Sequence, residues 1–327
     1  MKTRCARIVV GLCLTGGCAG GFWCAYGQSF QFTAAQRLTN GEAALTFTAP
    51  TGRSYRLDAA TNAQDWNALF TFPTNVTTSL QHTDSAAPWL PTRFYRAAQL
   101  SGTNILSGDH LATTNGDVVI RPLYHATFVM NWNGKFIYND PDLPANYTGL
   151  PRADLVLVSH EHGDHFDTGA LAAVTNANTI IIAPQVVYNA MTAAYKNLTI
   201  VLTNGASTNV LGLTVTAVPA YNYPTNQMVY HAKGGGNGYV LTIGGRRIYM
   251  SGDTQDVPEM RALQNIDVAF VCMNLPFTMT VDAAASAVRQ FHPRVVYPYH
   301  FSSSDVGRFK QLVGTDLGIE VRLRKWY

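Results

Sequence analysis

The sequence predicts an α/β chain, in which a small all-β module precedes a domain of apolar strands alternating with helices. Three observations carry that expectation. Residues 28–100 alternate in polarity with period two and show no helical spacing. Residues 107–327 alternate continuous apolar strands with helical stretches. Within this second region a strand leading to an aspartate, and a strand leading to a histidine, each occur twice.

The chain has 327 residues, is 47% hydrophobic and only 13% charged, so it can bury a large core and is neither disordered nor a coiled coil. Its formal charge of +3 equals the contribution of Lys2, Arg4 and Arg7, which leaves 20 bases against 20 acids. A neutral remainder excludes a strongly basic nucleic-acid footprint and an acidic tail.

Residues 1–27 read as an export signal. A basic start is followed by apolar Ile8–Leu14, a Gly-rich stretch and Ala25-Tyr26-Gly27 before Gln28. Five glycines between Gly11 and Gly21 make it a poor membrane span. Lipoprotein anchoring at Cys18 is the alternative, with Leu14 one place too early for it. Four of the five cysteines lie in this leader, so the mature protein keeps only Cys272, in an apolar run where a buried, inert thiol is expected. No later segment is apolar enough for a stable membrane span, and a periplasmic or secreted protein is the expectation.

In the β module, Ala44–Thr48 and Ser54–Asp58 flank the turn Pro50-Thr51-Gly52, and Leu69–Phe72 and Arg93–Arg96 follow. Trp66, Tyr55, Phe94 and Tyr95 suffice for a small sandwich core. The module resembles β-sandwich units appended to secreted bacterial proteins. Residues 101–106 read as a linker. Beyond it, Asn133-Gly134 and Gly244-Gly245 mark two hairpins. Val281, Ala284, Ala285, Val288 and Phe291 share one helix face between Thr280 and Pro293. Gln185–Lys196 and Val257–Leu263 are further helical stretches. Arg322, Arg324 and Lys325 read as the exposed face of a last strand.

The chemistry concentrates in Ser159-His160-Glu161-His162-Gly163-Asp164-His165, directly after an apolar strand. Imidazole nitrogens and carboxylate oxygens suit zinc, and also manganese or iron. This motif resembles that of the metallo-β-lactamase superfamily, His-x-His-x-Asp-His. Asp253 in Gly252-Asp253-Thr254, His300 in Pro298-Tyr299-His300, and Tyr124-His125-Ala126-Thr127 with Asp140-Pro141 match further landmarks of that family.

The resemblance implies a four-layer αββα sandwich with two metal ions per chain at the sheet edges. His160 and His162 would hold the first ion, and Asp164, His165 and His300 the second. Asp253 would bridge them. The family's third histidine for the first ion is expected near Val218, where this chain reads Pro219-Ala220-Tyr221-Asn222. Asn222, through its carbonyl, or His231, from the next loop, is the candidate replacement, with an exposed loop histidine as the alternative for His231. The pattern is similar to the subgroup that includes L-ascorbate-6-phosphate lactonase.

The implied activity is hydrolysis of a lactone or phosphoester small molecule by water that the metal activates. Asp164 would orient that water. Tyr221 and Tyr299 are candidate leaving-group acids, with core packing as the alternative. His125 and Asp140 would steady the ligands. A β-lactamase and a non-catalytic metal-containing binding protein are the competing readings.

Overall fold

The computed structural model describes residues 8–10, 31–62, 64–90, 92–101, 105–143, 145–223 and 230–327. The chain divides into two compact units, one formed by Met1–Ala112 with Asp117–Arg121, the other by Thr113–Gly116 with Pro122–Tyr327. Of the leader, only the strand Ile8–Val10 is described; it pairs with Tyr95–Ala97. The first unit is all-β, as expected. Gln31–Arg37, Ala43–Thr48 and Ser79–Asp84 form one antiparallel sheet. Ser54–Ala60 pairs on one side with Phe94–Leu100 and on the other with Asn67–Phe72. Alternate residues of these strands form one core, in which Phe47 meets Phe72 edge-on at 5.0 Å between ring centroids.

The division falls later than the sequence suggests. Phe70 pairs with Asp109, and His110 links Thr71 Oγ1 at 2.8 Å to Asp117 Oδ2 at 2.9 Å. These bonds tie Gly108, Asp109 and His110 to the β module, and residues 102–104 of the expected linker lie outside the described residues. The bonds also give His110 a structural role.

In the second unit, Thr127–Trp132, Lys135–Asn139, Leu155–Leu157, Ile180–Ala183 and Thr199–Val201 lie side by side in that order. A separate seven-stranded sheet runs in the order Ser207–Val210, Leu213–Ala220, Gly236–Ile243, Arg246–Met250, Val268–Cys272, Val295–Tyr299, Glu320–Val321. The two sheets meet face to face. Phe128 stacks on Phe270 at 4.0 Å, and the Tyr239 hydroxyl donates to the Val158 carbonyl. Thr168–Val174, Val281–Phe291 and Val306–Val313 each bury one apolar face. Side-chain caps from Asp167, Thr280 and Asp305 start these three helices. The unit is the αββα sandwich expected.

Two expectations are corrected. The last strand is only Glu320–Val321, and Arg322 is buried rather than exposed: it pairs with Glu320 at 2.8 Å and donates to the Tyr297 hydroxyl. Residues 185–196 form two short helices, Gln185–Ala190 and Ala193–Lys196, instead of one.

Parallel pairing along Lys135–Asn139, Leu155–Leu157 and Ile180–Ala183, and along Arg246–Met250, Val268–Cys272 and Val295–Tyr299, sets the carboxyl ends of each set on one rim. Tight turns follow there: His125, Asp140, Gly252 and His300 all have left-handed backbone, with φ of 52°, 39°, 59° and 45°. For non-glycine residues this conformation costs energy, and such strain gathers at functional positions. Gly252 has a second constraint, since a Cβ there would lie 2.8 Å from the Asn237 carbonyl oxygen and 3.1 Å from Ser159 Cβ. Gly252→Ala is therefore expected to destabilise the protein by about 1–3 kcal/mol. Chemical denaturation of the two proteins checks this.

Candidate metal centre

Five chain segments deliver donors to that rim, and the donors fall into overlapping groups whose atoms lie within 4.8 Å of one another: His160, His162 and His231; His125, Asp164, His165 and His300; and His160, His165 and Asp253. The motif after Leu155–Leu157 thus splits, sending His160 and His162 to one group and Asp164 and His165 to the other. His160 Nε2 lies 3.1 Å from His162 Nδ1. Asp164 Oδ2 lies 3.1 Å from His125 Nε2, 3.3 Å from His300 Nε2 and 3.6 Å from His165 Nε2.

Asp253 stands between the groups. Its Oδ1 is 3.3 Å from His165 Nε2 and 3.3 Å from His300 Nε2, while its Oδ2 is 3.4 Å from His231 Nε2. Asp253 lies 88 residues and His300 135 residues beyond His165, yet their donor atoms converge with those of the motif.

The far side of several rings is held in place. His160 Nδ1 is 2.9 Å from Ser159 Oγ, and His165 Nδ1 is 2.9 Å from Asp140 Oδ2. Asp140 also accepts from Ser159 N at 2.7 Å and Ser159 Oγ at 2.9 Å, so one buried carboxylate braces the loop entrance and a ring together. His125 Nδ1 is 2.8 Å from the Tyr327 hydroxyl. Partners of this kind fix the tautomer and aim the other nitrogen inward.

Asn222 and His231, the two candidates for the histidine missing near Val218, stand differently toward the cluster. Asn222 does not offer its carbonyl to the cluster. Its Oδ1 accepts from His231 N at 2.8 Å and lies 2.9 Å from His231 Nδ1, so Asn222 holds His231, and His231 joins His160 and His162. His231 is buried, not an exposed loop residue. Asn222→Ala is expected to weaken metal binding about 10–100-fold, the usual effect of removing a partner that orients a ligand. Competition with a chromogenic chelator measures it.

Both tyrosines are engaged elsewhere. The Tyr221 hydroxyl donates to Glu259 Oε2 at 3.0 Å and accepts from Lys233 Nζ at 3.2 Å. The Tyr299 hydroxyl accepts from Gly252 N at 2.9 Å, and burial pushes its pKa well up. Neither hydroxyl bonds to the histidine cluster, and Tyr299 instead supports the turn that carries Asp253.

The donor set fits divalent cations. His165 Nε2, His231 Nε2 and Asp253 Oδ1 are fully buried without a hydrogen-bond partner, an expensive arrangement unless a cation takes their lone pairs. Burial, reinforced by the charge near His165, holds His160 well below the usual histidine range, and burial also lowers His125 and His231. Neutral imidazoles at neutral pH are the form that binds metal. For Asp253 burial works upward, but His300 and His165 outweigh it and keep the carboxyl well below its ordinary range. Asp164 is likewise held far down against burial by His125 and His300. His165 is the exception: burial pulls it down, but Asp253 and Asp140 more than offset this. Cys272 is buried with its thiol pushed up to about 12 by burial, so it is protonated and inert, as expected.

The family model of the beta-lactamase superfamily domain matches residues 120–300, which include every one of these donors. The chain belongs to the metallo-β-lactamase superfamily. It is a metal-dependent hydrolase, like its relatives in this superfamily. A UPF0173 metal-dependent hydrolase of Pyrococcus abyssi is 32% identical over 212 residues, covering 60% of this chain and 92% of the relative. A UPF0173 metal-dependent hydrolase of Pelotomaculum thermopropionicum is 30% identical over 218 residues, 62% of this chain and 94% of the relative. Among solved structures, a protein described as a metal-dependent hydrolase from Parabacteroides distasonis shares 38% identity with a TM-score of 0.62, covering 68% of this chain and all of that one. The metallo hydrolase Igni18 of Ignicoccus hospitalis, at 22% identity and a TM-score of 0.53 over 64% of this chain and 95% of its own, agrees in fold.

For this superfamily member, His231 is the candidate metal ligand that the sequence left open. Its signal is present but weak: Tyr230-His231 stands just before the strand Gly236–Ile243, on the rim where the other donors lie. Tyr327 has no signal in sequence at all.

Proposed function

We propose that this hydrolase holds two divalent cations and cleaves a lactone or phosphoester. The position of Asp253, with one oxygen toward His165 and His300 and the other toward His231, carries this reading. His160, His162 and His231 would hold one cation, Asp164, His165 and His300 the other, with Asp253 between them. All-nitrogen and carboxylate donors with no thiolate favour zinc, and admit manganese or iron. When bound, the pair lowers the pKa of water toward neutrality and polarises the scissile carbonyl or phosphoryl group.

The chain's own residues then do the positioning. Asp164, about half exposed beside buried histidines, is the carboxylate best placed to accept a hydrogen bond from the attacking water and orient it. His125 and Tyr327 hold Asp164 from behind, Asp140 and Ser159 hold His165, and Asn222 holds His231. Tyr221 is the candidate to pass a proton to the leaving group only by leaving Glu259 and Lys233. The leader 1–27 supports export, with the hydrolase acting outside the cytoplasm. Among the described residues no helix is long and apolar enough to cross a membrane.

Metal analysis of the purified protein, with a panel of a lactone, bis(p-nitrophenyl) phosphate and a β-lactam, tests the reading. About two equivalents of zinc and turnover of the lactone or the phosphodiester are expected. Turnover of the β-lactam alone would replace it with a β-lactamase, and bound metal without turnover of any substrate would favour a binding protein.

A further inference from the structure

The loop that follows Val268–Cys272 is fastened to His300 directly and to His231 through Asn222. Met273 N donates to the His300 carbonyl at 3.3 Å. Further along, the Phe277 carbonyl accepts from Asn222 Nδ2 at 3.0 Å, and Asn222 is the residue that holds His231. The loop also closes on itself, with Asn274 N donating to Thr278 Oγ1 at 2.6 Å and Thr278 N to the Asn274 carbonyl at 2.9 Å. It is a shaped turn with its backbone bonds made.

That turn nevertheless presents two large apolar side chains to solvent. Leu275 is 57% exposed and Phe277 41% exposed. Tyr230, the neighbour of His231, packs its ring edge-on against Phe277 at 4.9 Å. Single exposed apolar residues are ordinary, but here they gather on one turn pinned beside the metal centre. The charge pattern points the same way. Among the described residues, no arginine or lysine bonds to His160, His162, Asp164, His165, His231, Asp253 or His300. Lys233, two places after His231, is taken by Glu259 at 3.0 Å and by Tyr221. A phosphorylated sugar would call for such cations beyond the metals themselves.

The geometry points to an ester or lactone whose alkyl or aryl chain lies along Leu275, Phe277 and Tyr230 while its carbonyl faces the metal centre. This inference rests on the reading of the cluster as a hydrolytic metal centre. The reaction it specifies is ordinary hydrolysis: water adds to the acyl carbon, the acyl–oxygen bond breaks, one proton of the water leaves with the alkoxide as alcohol, and the other is released to solvent as the carboxylate forms.

The test uses the zinc-loaded full chain. Calorimetric titration compares acetate with octanoate, and kinetics compares p-nitrophenyl acetate with p-nitrophenyl octanoate. A fully buried methylene is worth about fourfold in affinity, and a one-sided surface covers only part of each, so octanoate is expected to bind at least about tenfold more tightly than acetate. In the double variant Leu275→Ser, Phe277→Ser that ratio is expected to fall below about threefold, with bound zinc and circular dichroism unchanged. Equal affinities in the parent, or a ratio retained in the variant, would overturn the inference. Hydrolysis of both esters without chain-length preference would remove the apolar subsite and leave the hydrolase reading intact. A binding preference for octanoate with no hydrolysis of either ester would keep the subsite and overturn the reading of the centre as an esterase.

Discussion

Asp253→Ala is expected to abolish hydrolysis and to lower the equivalents of metal bound. Asp253 is the residue whose two oxygens reach both donor groups, at 3.3 Å from His165 and His300 and 3.4 Å from His231. In the proposed two-cation centre its loss would remove the negative charge that offsets both ions, so the effect should exceed the roughly 10–100-fold that removal of an orienting partner costs. Asp253→Asn keeps the shape and one carbonyl oxygen, and should fall between the parent and the alanine variant. Zinc content by atomic absorption, with circular dichroism to confirm folding, separates loss of metal from loss of structure. Zinc stoichiometry equal to the parent's in Asp253→Ala would remove the bridging role.

Asp140→Ala is the second large effect, and it acts on stability as well as on the centre. The carboxylate is completely buried and accepts from Ser159 N, Ser159 Oγ and His165 Nδ1, with Asn139 Nδ2 at 3.2 Å. Alanine would leave those donors without their acceptor, and each unsatisfied buried group costs about 1–3 kcal/mol. His165 would keep only the weaker contact with Ser159 Oγ at 3.2 Å. Zinc affinity should drop about 10–100-fold, and the midpoint of thermal unfolding should fall by several degrees, since about 1 kcal/mol moves a domain of this size by 2–4 °C. Asp140→Asn separates the two effects. It preserves packing but places an amide where an acceptor is required, so it should recover part of the stability and little of the affinity. An Asp140→Ala protein with unchanged zinc affinity would confine Asp140 to the role of a turn residue before Pro141.

Much of the centre was legible in the sequence because its chemistry is local. His160, His162, Asp164 and His165 fall within six positions after a strand, and three histidines with an aspartate at that spacing have few other uses. The strand pattern was legible for the same reason, since period and turn residues act over a few positions. The helix Val281–Phe291, with Thr280 as its cap, and the hairpins at Asn133-Gly134 and Gly244-Gly245 lie where their residues put them.

What depended on distance along the chain was harder to read. Asn222 and His231 were both open as the donor completing the group of His160 and His162. Each residue type can bind metal, and only the bond between them decides that one holds the other. Arg322 looked like a surface charge because its partners, Glu320 and Tyr297, become neighbours only when the last strand docks. The pairing of Phe70 with Asp109, which joins residues on either side of 101–106, has no local signal either.

The sequence by itself determined most of the strands and the longest helix, which motif carries the imidazoles, and which family the chain resembles, because propensity, period and spacing are properties of neighbouring residues. The tertiary structure alone decided that His231 completes a group with His160 and His162, that Asp253 reaches both groups, and that Leu275 and Phe277 stand beside them. Those facts depend on where parallel strands set their carboxyl ends and how two sheets stack, and no local pattern of residues encodes a distance across a fold.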